Sequence, residues 1–152
     1  MRVALCDLGG NVLDAALLDV ESAQGASGNL LRAADSAMAL AEKHGLRYEA
    51  QSTPTAGAAN GPHGLATADR AEGPRLIGMG VGASGLVDVH AGVNLIAPNL
   101  KWYDVPIPQL LGEDCGLPVA VDNNVRCMAL SESMYGAGQT VRALAFVYAR
   151  IG

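Results

Sequence analysis

The chain has 152 residues and an apolar fraction of 50%, which is enough for one globular domain with a sizeable core and too much for a disordered one. Its formal net charge is −5, with ten Lys and Arg residues scattered singly, which argues against a nucleic-acid surface. No apolar run reaches the length of a membrane span, and Asp7 interrupts the opening run before it becomes a signal-peptide core, so a soluble, cytoplasmic protein is expected.

Arg2–Leu8 and Val12–Leu18 are β-favourable runs around Gly9-Gly10-Asn11, a hairpin pattern in which Asp7 and Asp14 read as solvated edge or turn residues. Leu30, Leu31, Ala34, Met38 and Ala41 follow the helical period. Ser27 or Asn29 is the start signal for that helix, Gly45 is its stop, and His44 in the last turn reads as a surface residue suited to the helix dipole. Between Tyr48 and Gly73 the composition shifts to Ser, Thr, Pro, Gly and Ala without a period, which predicts a loop or insertion. His63 within it has no partner and is assigned no role.

Gly80-Val-Gly82-Ala-Ser-Gly85 is formally a G-x-G-x-x-G after a strand. The dinucleotide fingerprint needs a helix opening at the third glycine, however, and two β-type runs around Ala91-Gly92 follow instead. That context predicts a second hairpin, with glycines where the backbone passes close to a ligand or a facing strand. Ala97–Pro108 reads as an ordered loop stiffened by prolines. Its Trp102 either packs over the core or stacks on a sugar face. Gln109–Cys115 is a short helix closed by Gly116.

Val119-Ala-Val121 is a buried-type strand, and Val125, Met128, Ala129 and Tyr135 form a helix that stops at Gly136. Asp122, Asn123 and Asn124 therefore sit where a strand's C-terminal end meets a helix N-terminus, a position for a polar ligand or for an N-cap. Val141–Ala149 reads as another buried strand. Cys6, Cys115 and Cys127 are widely spaced in apolar-leaning contexts and read as reduced packing thiols.

Three of these stretches together resemble the ROK family, which joins bacterial sugar kinases with sugar-responsive repressors on the actin-like ATPase fold. Gly80–Asp88 matches G-V-G-x-P-G-L-V-D with Ser84 in place of the proline, Ala97–Ile107 matches A-P-N-L-x-W-x-D-V-P-L, and Leu117–Asn124 matches L-P-V-x-V-E-N-D. The resemblance implies an α/β fold, the N-terminal lobe of an actin-like ATPase (ribonuclease H-like) domain truncated at both ends. It would form one domain over 1–152 with an insertion at about 48–73, as a mostly parallel mixed sheet with a hairpin at one edge and helices near 29–44 and 124–135.

It also implies sugar contacts at Asn99, Asn123 and Asn124, with Gly82, Gly85 and Trp102 near the ligand. In the family's kinases the last residue of E-N-D is an Asp acting as general base. Asn124 stands there, an amide that accepts no proton, and Asp122, two residues earlier, is not placed to replace it. The Asn-Asn-Val-Arg form is similar to that of the family's regulators. The family's first phosphate loop would precede residue 1, and its second phosphate loop and zinc site would follow residue 152, so neither ATP nor zinc is expected on this stretch.

The expectation is a pseudokinase-like, non-catalytic sugar-sensing part of a ROK-type transcriptional regulator with a monosaccharide effector. Any DNA contact would be made through a helix-turn-helix not found here. The alternative is part of an ATP-dependent, glucokinase-like sugar kinase. An unpaired sheet position beside Val3–Leu8 would favour a homo-oligomer.

Overall fold

The structure is a computed structural model that describes residues 1–48 and 74–149; the expected insertion and its His63 lie outside the described residues. The opening runs pair as antiparallel strands β1 (Arg2–Cys6) and β2 (Val12–Leu17), with Ala4 opposite Ala15. Gly10 takes φ 84° in the turn, and Asp7 braces it by accepting from the Asn11 backbone N–H at 2.9 Å and from Asn11 Nδ2 at 2.8 Å. Those bonds, the side-chain one first, hold the Asp7 carboxyl below its ordinary pKa.

A short 3-10 turn (Ser22–Gln24) leads into helix α1 (Gly25–Lys43), which opens before either expected start signal. Asn29 is fully buried rather than capping: its Oδ1 accepts from Glu21 N–H at 2.9 Å, and its Nδ2 donates to the carbonyls of Glu21 and Gly25 at 2.8 and 2.6 Å. The side chain staples the preceding turn onto the helix. At the other end Gly45 is left-handed (φ 66°), and Lys43 and His44 both reach Asp14 Oδ2, at 2.8 and 3.0 Å.

Strand β3 (Met79–Ala83) is followed by the expected hairpin of β4 (Leu86–Asp88) and β5 (Val93–Ala97). Half of the stretch expected to be a loop is strand. A turn at Pro98–Leu100, with Lys101 left-handed, leads into β6 (Trp102–Pro106), which extends the hairpin antiparallel to β5. Pro98 precedes this strand and Pro106 is its last residue, so Trp102, Tyr103 and Val105 keep their partners on β5, while Asp104, at φ 48°, is left out of the ladder. Helix α2 (Ile107–Cys115) closes at Gly116 (φ 66°), strand β7 (Val119–Asn123) runs parallel to β3, and helix α3 (Asn124–Tyr135) follows at once.

Two expectations are corrected. The described strands form three separate ladders, β1-β2, β3-β7 and β4-β5-β6, in place of one mostly parallel sheet, and β3-β7 is their one parallel pair. Among the described residues no strand bonds the outer edge of β1 to that of β3, so the ladders stay apart. Val141–Ala149 forms no strand and is largely exposed, with Val147 at 87%, because no ladder partner meets it.

The core gathers Leu30 and Ala34 of α1, Ala83, Ala97, Trp102, Val105, Ile107 and Leu111 of α2, and Val121. Ile107 and Leu111, at 0% and 1% exposed, each contribute about 1.5–3 kcal/mol by burial. No helix among the described residues is long and apolar enough to cross a membrane.

Candidate functional site

Asn123 ends β7 in an extended conformation (ψ 135°) and caps α3. Its Oδ1 accepts from the N–H groups of Val125 at 2.9 Å and Arg126 at 3.2 Å, two of the helix's orphan donors. Its Nδ2 donates to the Gly85 carbonyl at 2.7 Å, 38 residues away in sequence. One side chain therefore satisfies the helix start and ties it to the β3–β4 turn.

That turn is held a second time. Asn94, fully buried on β5, donates from Nδ2 to the Ser84 carbonyl at 2.9 Å, so consecutive carbonyls of Ser84 and Gly85 are each gripped by an amide. Asn94 Oδ1 is buried without a partner among the described residues. Sequence reading passed over Asn94; the signal was a single amide in the β-type run Val93-Asn-Leu-Ile.

Gly85 carries φ +92°, and a Cβ there would lie 2.0 Å from the Ile96 carbonyl oxygen and 2.9 Å from Ala97 Cα. Close backbone approach is thus the reason for this glycine, and what approaches is the end of β5. Gly82 is less demanding: a Cβ there would meet Asn124 Cα and Cys127 Sγ at 3.5 and 3.7 Å, ordinary contact distances.

Asn124 follows as the first residue of α3, half-buried, with its Oδ1 3.0 Å from the Val125 N–H. Asp122 faces backbone and cation together, accepting from Asn123 N–H at 2.6 Å and lying 3.5 Å from Arg126 Nε. Burial, and then the Asp122 charge, push the neighbouring Cys127 thiol up in pKa, which keeps it a thiol and not a nucleophilic thiolate.

The sequence-predicted residues are thus only partly brought together. Gly82, Asn124 and Trp102 border one cleft of about 900 Å³. Asn123 and Gly85 are bonded to each other beside it. Trp102 is only 6% exposed and belongs to the core, so packing is its main role. Asn99 sits exposed in the Pro98–Leu100 turn, two residues after the Ala97 backbone that rests on Gly85.

Of the three candidate amides only Asn124 lines the cleft; Asn99 and Asn123 lie outside its lining. Asn123 has most of its hydrogen-bonding capacity committed, whereas Asn124 Nδ2 and the Asn99 side chain donate to no described residue. Neutral amides can pair with hydroxyl groups as donor and acceptor, and they cannot take a proton as a base.

The chain has relatives among known proteins. A putative xylose repressor of Caldicellulosiruptor sp. (strain Rt8B.4) is 40% identical over 77 residues, covering 51% of this chain and 19% of the repressor. A glucokinase of Halalkalibacterium halodurans is 38% identical over 72 residues, covering 47% of this chain and 22% of the kinase. The chain thus spans about a fifth of the length of these relatives. Among solved structures, a ROK family transcriptional regulator, a homologue of the Escherichia coli MLC protein, superposes with a TM-score of 0.64 at 22% identity over 92% of this chain and 29% of its own. The ROK hexokinase of Thermus thermophilus gives 0.62 at 22% identity, over 92% of this chain and 41% of its own. Both show the shared fold, and the ROK family profile matches residues 6–152, so the chain belongs to the ROK family.

Proposed function

We propose that this chain is a non-catalytic, sugar-sensing part of a ROK-type transcriptional regulator, with Asn99 and Asn124 as the groups free to meet a monosaccharide and Asn123 holding the strand-to-helix junction that carries Asn124. The observation that carries the reading is Asn124: the family's kinases place a carboxylate base at this position, and here an amide faces the cleft. Losing a positioned base typically removes ~10²–10⁴ in rate. The nearby carboxylate, Asp122, is engaged by Arg126 and by the Asn123 N–H.

Similarity to a putative xylose repressor supports the reading, while similarity to glucokinases keeps the kinase alternative in view. In this reading ATP and zinc are held by other parts of the family's fold. DNA contact, in the same reading, is made through a helix-turn-helix outside these residues.

Because Asn99 is exposed and Asn124 only half-buried, a bound sugar stays partly solvated. Affinity in the millimolar range or poorer is expected, about −4 kcal/mol or weaker. Titrating glucose, xylose and N-acetylglucosamine while following amide NMR shifts tests this. Movement of the Asn99 and Asn124 resonances, with no sugar-dependent ADP release from ATP, is the expected result. Sugar-dependent ADP release would restore the kinase alternative, and resonances that ignore every sugar would remove the binding role.

A further inference from the structure

The two amides left free for a sugar, Asn99 and Asn124, stand on different ladders. Asn124 opens α3 directly after β7, in the β3-β7 ladder, while Asn99 lies in the turn between β5 and β6, in the β4-β5-β6 ladder. Among the described residues no strand pairing joins these two ladders, and the chain crosses from β3 to β4 through Ser84-Gly85. The setting of that turn therefore helps to fix the separation of the two amides.

Each ladder grips the turn with one side chain. Asn123, at the end of β7, donates to the Gly85 carbonyl at 2.7 Å, and Asn94, on β5, donates to the Ser84 carbonyl at 2.9 Å. The backbone of Gly85 also rests on Ile96 and Ala97, which lead directly into the Asn99 turn. A continuous line of contacts thus runs from the Asn124 helix start through Asn123, Gly85 and Ser84 to Asn94 and the end of β5.

Packing does not account for Asn94. Its cross-strand neighbours are Val87 on β4 and Val105 on β6, and both pack with the core. An apolar side chain would suit that place better, since a buried amide costs free energy unless its polar atoms are paired. Here Nδ2 is paired with Ser84, while Oδ1 is buried without a partner among the described residues. An amide set between two valines and only half compensated points to the one bond it makes.

We propose that Asn94 is a positioning residue for the sugar site: by holding the Ser84 carbonyl against β5, it fixes the Asn99 turn relative to the Asn124 helix start. Being fully buried, it touches no ligand itself. What the positioning serves rests on the sugar-sensing reading; the link from Asn94 to Asn124 does not.

Asn94→Leu tests the proposal, because it keeps the branch at Cγ and removes the donor to Ser84, and Asn94→Ala repeats the test without added bulk. Amide NMR without sugar should show the Asn124 resonance shifted in both variants. The shift should vanish when the same substitutions are made in an Asn123→Ala background, where the tie to Gly85 is already gone. In titrations with glucose, xylose and N-acetylglucosamine, the Kd for a sugar that moves the wild-type Asn124 resonance should rise at least about fivefold, while the urea midpoint of Asn94→Leu stays equal or higher. An Asn124 resonance unmoved in both variants, or moved equally without Asn123, would overturn the proposal. So would a sugar Kd equal to that of the wild type, or a failure of both variants to fold, which would make Asn94 a core residue and no more. If the wild-type chain ignores every sugar, the sugar-sensing reading falls, and the Asn124 shift alone sustains or overturns the link.

Discussion

Asn123 combines two roles, helix cap and tie to Gly85, that substitution can separate. Asn123→Ala removes both the helix cap and the tie to Gly85, with an expected loss of about 1–3 kcal/mol in urea unfolding. Asn123→Asp keeps an oxygen for the Val125 and Arg126 N–H groups and sets a carboxylate against the Gly85 carbonyl, so its loss should be smaller than that of Ala yet measurable. Gly85→Ala should exceed both, above about 2 kcal/mol, because a positive φ and a carbonyl oxygen at 2.0 Å leave a Cβ no room. If Asn123→Ala is neutral, the cap is not what fixes this junction. A cap at Asn123 was legible because Asn before a helical period has few other local uses. Its bond to Gly85 was not, since a contact across 38 residues leaves no local signature. Asn29 misled for a related reason: an Asn near a helix start resembles a cap, and only burial reveals that it holds the preceding turn.

Between elements, the most separable link is that of β2 to the C-terminal end of α1. Asp14 Oδ2 meets Lys43 Nζ and His44 Nε2, and hydrogen bonds from Lys43 first, then from His44, lower the Asp14 carboxyl from 3.8 to about 2. A carboxyl depressed in the folded state contributes stability above its unfolded pKa of about 3.9, and that contribution fades as pH falls through the folded value. Stability should therefore drop between about pH 4 and pH 2, and the drop should be shallower in Asp14→Asn; identical pH profiles for the two proteins would deny the link a role. The effect is expected to be modest, because the pair lies at the surface. Element type was otherwise readable from pattern alone for both hairpins and all three helices. It failed at β6, where prolines at the ends of a strand were read as marks of a loop. It failed again at Val141–Ala149, where β propensity is present and a partner strand is not.

At the scale of the molecule, the expected single sheet is replaced by three ladders, because hydrophobic period says which residues are strands and not which edges meet. The consequence is an uneven distribution of stability. The core cluster draws on α1, α2, β3, β5, β6 and β7, and takes no residue from β1, β2 or α3. Leu5 is the one buried hydrophobic residue of β1, at 8%, while Val12, Leu13 and Leu17 of β2 are 56%, 50% and 83% exposed. A hairpin with so little apolar anchorage opens by itself, at a free energy below that of global unfolding. Native-state hydrogen exchange at low protein concentration should show it: amides in the ladder between β1 and β2 should exchange at least about tenfold faster than those of Leu111 and Val121, a gap of about 1.4 kcal/mol or more. The amides of α3 that lie beyond the Asn123 cap should also exchange early, since no residue of that helix is buried. Equal protection across β1, β2 and β7 would mean that the hairpin unfolds with the core.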